Sequence, residues 1–234
     1  MTRILLIETA TRVCSVGVAS EHQIIGLREE KSMQYSHSSH LTGFVQQCVK
    51  EAGITFQQLD AVAVSMGPGS YTGLRIGVSA AKGLCYALDI PLISVNTLQS
   101  MAEVAVNSFK EEDEKPDFLV PMIDARRMEV YNAVFDRSAG MIRETMAEII
   151  DENAFEQYLQ KGKVLFFGDG APKCREVIKH LNARIVDTIY PGVEGLHREA
   201  IEKFGKQQFE DTAYFEPFYL KDFVAGKPRV KGLH

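Results

Sequence analysis

The residues best suited to chemistry lie in the run G-P-G-S-Y-T-G, Gly67 to Gly73. It follows a short apolar stretch, Ala61–Ser65, and opens a helical stretch, Leu74–Leu88. Glycines permit positive φ and let backbone approach a ligand. A helix N-terminus presents free amides at the positive end of its dipole. Gly67, Gly69, Ser70, Tyr71, Thr72 and Gly73 are therefore a candidate anion or nucleotide loop. The known phosphate cradles do not fit. A P-loop needs lysine directly after its second glycine, and here Leu74 and Arg75 follow Gly73. The dinucleotide fingerprint G-x-G-x-x-G is one residue shorter than the spacing of Gly67, Gly69 and Gly73. Two readings stay open: a loop that holds an anion, or glycines that only allow a tight turn.

Charged candidates come next. Glu8 and Asp124 each end an apolar run and could act as paired carboxylates. Arg126 and Arg127 could clamp a phosphate or pair with acids at the surface. His37 and His40 stand three apart but lack a neighbouring acid or cysteine to complete a metal site, so they read as exposed residues near a helix cap. Lys82 falls inside a helical stretch, and Lys227, Arg229 and Lys231 give a short basic tail.

The elements that must position these residues repeat. Ile4–Ile7, Cys14–Ala19 and Ile24–Glu30 read as strands. Leu41, Phe44, Val45, Cys48, Val49 and Ala52 keep helical spacing, with Ser38 or Ser39 as cap and Gly53 as stop. Strand, glycine turn, helix and strand then make a βαβ unit ending at Leu92–Val95, followed by a helix near Thr97–Phe109. The acidic run from Glu111 to Glu114, before Pro116, marks a boundary between halves 1–110 and 111–234. Beyond it the order recurs: strands at Phe118–Ile123, Glu129–Phe135 and Met141–Ile150, a helix at Asn153–Leu159 and a strand at Val164–Phe167. A helix from D-G-A-P to Asn182 and a strand at Ala183–Ile189 complete it. Two βββαβαβ halves facing across a cleft predict an α/β fold of the duplicated actin-like kind (ASKHA, ribonuclease-H-like). In such kinases acids stand near the metal–phosphate, at the positions of Glu8 and Asp124.

On the glycine-loop helix, Gly73, Gly77, Ala81 and Cys85 recur every fourth residue along one face. Either the helix is buried within its own domain or this face meets a second subunit. Net charge is −5, so no basic surface is expected to advertise direct nucleic-acid binding. The four cysteines are scattered, without a C-x-x-C pair, which fits a reducing cytosol. The opening M-T-R-I-L-L-I-E-T reads as neither a signal peptide nor a membrane span.

Several strings together resemble one family: G-P-G-S-Y-T-G-L-R-I-G with A-K-G at Ala81–Gly83, I-L-L-I-E-T-A at the start, I-D-A-R-R-M-E-V-Y at Ile123–Tyr131, and P-F-Y-L-K at Pro217–Lys221. It is the TsaB (YeaZ) family of bacterial tRNA threonylcarbamoyladenosine synthesis, paralogous to TsaD. TsaD-like chains carry H-x-x-x-H where this sequence has Thr97 and Met101. Neither is a ligand for a catalytic metal. The resemblance thus implies a cytoplasmic, non-catalytic dimerisation and activation subunit with no metal or cofactor of its own. It implies a TsaD-like catalytic partner and a TsaE-like ATPase, with ATP and metal held by those partners. It also implies a homodimer when alone, and tRNA gripped mainly by other subunits. Gly73, Leu74, Gly77, Ala81 and Cys85, with Leu41, Phe44 and Cys48, would form a four-helix interface. In the family Glu8 and Asp124 are expected to fix the adjoining turns by hydrogen bonding. The alternatives are a small-molecule kinase using Glu8 or Asp124 with magnesium, and a metallopeptidase, which lacks its histidine pair.

Overall fold

The computed structural model describes residues 2–31, 37–110 and 115–221. The first half runs β1 (Ile4–Glu8), β2 (Val13–Ala19), β3 (Ile24–Lys31), α1 (His37–Glu51), β4 (Ala61–Gly67), α2 (Tyr71–Leu88), β5 (Leu92–Asn96) and α3 (Thr97–Ser108). The second runs β6 (Phe118–Asp124), β7 (Glu129–Asp136), β8 (Met141–Ile149), α4 (Glu156–Leu159), β9 (Val164–Phe167), β10 (Ala183–Val186) and α5 (Val193–Gly205). The two sheets have strand orders β3-β2-β1-β4-β5 and β8-β7-β6-β9-β10. Position for position these are the same order, as a duplicated actin-like fold requires. In each, the first strand pairs antiparallel with the second and parallel with the fourth.

Composition explains which strands are central. β1 and β9 are continuous apolar runs buried on both faces, as parallel strands covered by helices must be. Edge strands β3 and β8 alternate between exposed and half-buried residues. The terminal helices then exchange sheets. α3, from the first half, packs Leu98, Met101, Ala102 and Ala105 against Leu119, Ile123, Phe135 and Phe167 of the second sheet. α5, from the second half, packs Val193, Leu196 and Ala200 against Ile4, Leu6, Ala63 and Ile93 of the first. The two helices cross at Gly195, where a Cβ would lie 2.1 Å from the Ser100 carbonyl oxygen. The expected boundary at Glu111–Glu114 falls outside the described residues.

Several expectations need correction. The helix expected from Asp169 to Asn182 is one 3-10 turn, Pro172–Cys174, followed by turns. Ile178 anchors that stretch in the core while Leu181 is 91% exposed, so no apolar stripe is sustained. The Asn153–Leu159 helix contracts to α4, and α5 lies beyond the last expected strand. α1 begins at His37, so Ser38 and Ser39 lie inside its first turn rather than capping it.

The small-residue face of α2 is the main correction. Gly73, Gly77, Ala81 and Cys85 point into the protein's own core. A Cβ on Gly73 would stand 2.1 Å from the Thr9 carbonyl oxygen, and one on Gly77 2.2 Å from Thr9 Oγ1. Ala81 and Cys85 join Leu41 and Cys48 in the core beneath α1 and α2, and Leu74 is 1% exposed. Phe44 is half-buried against the same cluster. The helix turns its small face inward because the β1–β2 connection occupies the groove. What α2 offers outward is the half-buried flank Ile76, Ala80 and Leu84, with Ser79 and Gly83 exposed beside it.

Candidate functional site: the cleft between the halves

The glycine loop closes on its own chain. β4 ends at Gly67 with φ +117, a left-handed value that glycine tolerates. Ser70 caps α2 by accepting from the Gly73 amide at 3.2 Å, while its own amide donates to the Ala10 carbonyl at 2.6 Å. A Cβ on Gly69 would be 2.3 Å from that same Ala10 oxygen. Thr9 Oγ1 donates to the Gly73 carbonyl at 2.8 Å. Gly69, Gly73 and Gly77 are thus small so that Thr9 and Ala10 can press against them. Of the two open readings, the geometry favours close packing; Tyr71 and Thr72 stand at the rim, half-buried and exposed.

A C-terminal strap covers the loop from the other side. The Phe218 amide donates to the Met66 carbonyl at 2.7 Å, and a Cβ on Gly67 would meet the Phe218 oxygen at 2.8 Å. Tyr219 packs on Tyr71 with ring centroids 5.2 Å apart, and its hydroxyl accepts from Arg75 Nε at 3.2 Å. Lys82, in the middle of α2, donates to the carbonyls of Ala213 at 3.1 Å and Phe215 at 2.9 Å. At its end Lys221 pairs with Glu129 of the second half.

Between loop, strap and second half lies a cleft of about 550 Å³. Arg12, Tyr71, Asp124, Arg126, Tyr131 and Tyr219 are among the residues on its walls. Asp124 is held by Lys173, and its amide donates to Asp169 at 3.0 Å. Burial pushes the Asp169 carboxyl above its ordinary value, against the pull of the Asp124 amide. Arg126 and Arg127 both have positive φ, +70 and +51, and both side chains are exposed.

The structure does not bring Glu8 and Asp124 together on this wall. Glu8 is fully buried, accepting at Oε1 from the Ala10 amide at 2.6 Å and from Ser65 Oγ at 2.9 Å. Its Oε2 has no hydrogen-bond partner. Burial raises its pKa to about 7. It braces the β1–β2 turn from beneath, and Asp124 alone of the pair faces the cleft. His40 pairs with Glu30 and packs edge-on against Phe44. Thr97 and Met101 are both fully buried, Met101 within the core beneath α3. The strap itself was not foreseen from the residues; its only signal was the P-F-Y-L-K string.

The whole-chain comparisons match this architecture. A model of the family "TsaD: tRNA N6-adenosine threonylcarbamoyltransferase" matches residues 30–225. The tRNA threonylcarbamoyladenosine biosynthesis protein TsaB of Escherichia coli K12 is 31% identical over 236 residues, covering 96% of this chain and 97% of that one. The chain belongs to the TsaB family. The Bacillus subtilis TsaB is 28% identical over 179 residues, 75% of each chain. Among solved structures, YeaZ from Pseudomonas aeruginosa superposes with a TM-score of 0.75 at 24% identity, over 94% of this chain and all of that one. At that identity the likeness speaks to the fold, and it extends across both halves.

Proposed function

We propose that this TsaB-family chain is a non-catalytic subunit of tRNA threonylcarbamoyladenosine synthesis. It docks on a TsaD-like threonylcarbamoyltransferase and activates it. The observation that carries the reading is the fate of Thr97 and Met101. They stand where TsaD-like chains would carry a histidine pair, and here both side chains are buried in packing. The glycine loop is filled by Thr9 and Ala10, which supports a fold kept for assembly.

The partner docks on the outward flank of α2, at Ile76, Ala80, Gly83 and Leu84, with Phe44 of α1 alongside. The same flank pairs two copies when the chain is alone, and a TsaE-like ATPase completes the assembly. ATP and metal belong to those partners. Co-purification with the TsaD-like protein tests this, together with a tRNA modification assay omitting one subunit at a time. Modification is expected to fail when this chain is omitted, and Gly83→Arg is expected to abolish co-purification while leaving the melting curve of the isolated chain cooperative. Undiminished modification without this chain, or ATP-dependent phosphoryl transfer by the chain alone, would sink the reading.

A further inference from the structure

The net charge of −5 conceals a local excess of the opposite sign. Arg12 and Arg126 line the cleft, Arg75 contacts its lining residues Tyr71 and Tyr219, Arg127 follows Arg126 in the chain, and all four are exposed. None of the four makes an ion pair to another described residue. The guanidinium of Arg75 lies 4.2 Å from the Tyr71 ring centroid and bonds the Tyr219 hydroxyl, so three flat groups stack in one corner. Tyr131 stands half-buried on the opposite wall, close to Arg126 and Lys221.

The neighbouring acids are mostly neutralised. Asp124 is paired with Lys173 and Glu129 with Lys221, while Asp169, exposed on the cleft wall, accepts from the Asp124 amide and feels the charge of Arg12. Glu216, near Arg75, and Asp169 are the exposed acids here without an ion pair among the described residues.

These cations are spread along the mouth, from α2 to the β6–β7 turn, and across both halves. A compact phosphate would engage only one or two of them. The loop amides of Ser70 and Gly73 are already bonded within the chain. The fitting ligand is therefore an extended polyanion. Tyrosine faces beside arginines suit unpaired bases strung on a phosphate backbone. Arg126, on the cleft wall, and Arg127 after it are consecutive residues of left-handed φ with exposed side chains.

We propose that this arginine- and tyrosine-lined mouth binds a single-stranded stretch of RNA, the tRNA substrate of the complex, with arginines on phosphates and tyrosines under bases. The proposal rests on the functional reading above, because that reading brings a tRNA to the assembly.

The probe is a labelled RNA hairpin carrying an anticodon arm, followed by fluorescence anisotropy through a KCl titration. It is added to the isolated chain and to its complex with the TsaD-like protein. In the variant Arg126→Asn/Arg127→Asn the asparagines tolerate the left-handed backbone, so the fold is kept. The salt dependence is expected to fall by about 0.7 per arginine removed, with a loss of roughly tenfold in affinity. Co-purification with the TsaD-like protein is expected to stay unchanged. An unchanged slope in the variant, or no RNA binding by the wild-type chain in either form, overturns the proposal. So does competition by polyglutamate as effective as by unlabelled RNA, which would make this a site for an acidic protein. The subunit-omission assay reads the functional proposal separately, so the two can fail independently.

Discussion

At the scale of single residues, Glu8 makes the sharpest demand. Burial keeps its carboxyl protonated up to about pH 7, whereas the unfolded chain ionises it near the ordinary 4.5. Between those values the folded state holds one more proton than the unfolded state. The stability Glu8 contributes is complete below about pH 4.5 and falls as pH rises, and it is gone above about pH 7, a loss on the order of 3 kcal/mol. Thermal melts of the wild-type chain are expected to weaken from pH 5 to pH 8. In Glu8→Gln that decline is expected to be smaller, because nothing at the position titrates; parallel decline in both proteins would remove Glu8 as its source. Ala81 and Gly83 form a second pair. Ala81→Glu places a carboxylate in a fully buried site and is expected to cost about 4 kcal/mol or more, enough to unfold the chain. At Gly83 an added Cβ would meet nothing within 4 Å, so Gly83→Ala is expected to raise the stability of the isolated chain by about 0.5–1 kcal/mol through helix propensity. Urea titration of both variants checks the pair.

At the scale of elements, the strap explains why a lysine sits in the middle of a helix. Lys82 holds two carbonyls of the strap, so Lys82→Met is expected to loosen residues 211–221 without melting α2. Faster chymotrypsin cleavage near Tyr214, which is 84% exposed, is the measurement; an unchanged digestion pattern would show that the strap's other contacts, at Phe218, Tyr219 and Lys221, suffice to hold it. Much of the rest was legible in the sequence. Strands such as Val164–Phe167 announced themselves as unbroken apolar runs, and the glycine turn located the cleft wall. Periodicity could show that Gly73, Gly77, Ala81 and Cys85 share a face, but not what lies opposite. The answer at Gly73 and Gly77, Thr9, is more than sixty residues away and carries no pattern of its own. The apolar spacing of Val193, Leu196, Ala200 and Phe204 did signal α5, yet a repeat that had already supplied its fifth strand gave no reason to seek it. Glu8 at a strand end could be read as a cleft acid or as the brace of its own turn, because strand register sets the position of a side chain, whereas only packing sets its access to solvent; the Ala10 amide shows it to be the brace.

At the scale of the whole molecule, the exchange of terminal helices means that neither half owns a complete core. Residues 1–110 lack Val193, Leu196 and Ala200 over their sheet, and residues 111–234 lack Leu98 and Met101 over theirs. Expressed apart, each half is expected to give a broad, weakly cooperative melt, and mixing the two to restore a sharp one. Two independent sharp transitions in the separate halves would show that the exchanged helices are dispensable. Gly195→Val, which forces a branched side chain against Ser100 at the crossing, is expected to destabilise the intact chain by about 3 kcal/mol or more in the same melts.

The same exchange sets an order in time. A protein is made from its N-terminus, and domains ordinarily fold as they leave the ribosome. Here one face of the first sheet lacks the cover of Val193, Leu196 and Ala200 until α5 has been synthesised, long after its last strand. The strap that seals the glycine loop comes later still. Nascent chains stalled before Val193 are therefore expected to expose Ile4, Leu6 and Ile93 to chaperones and proteases, although every strand of that sheet has already been made.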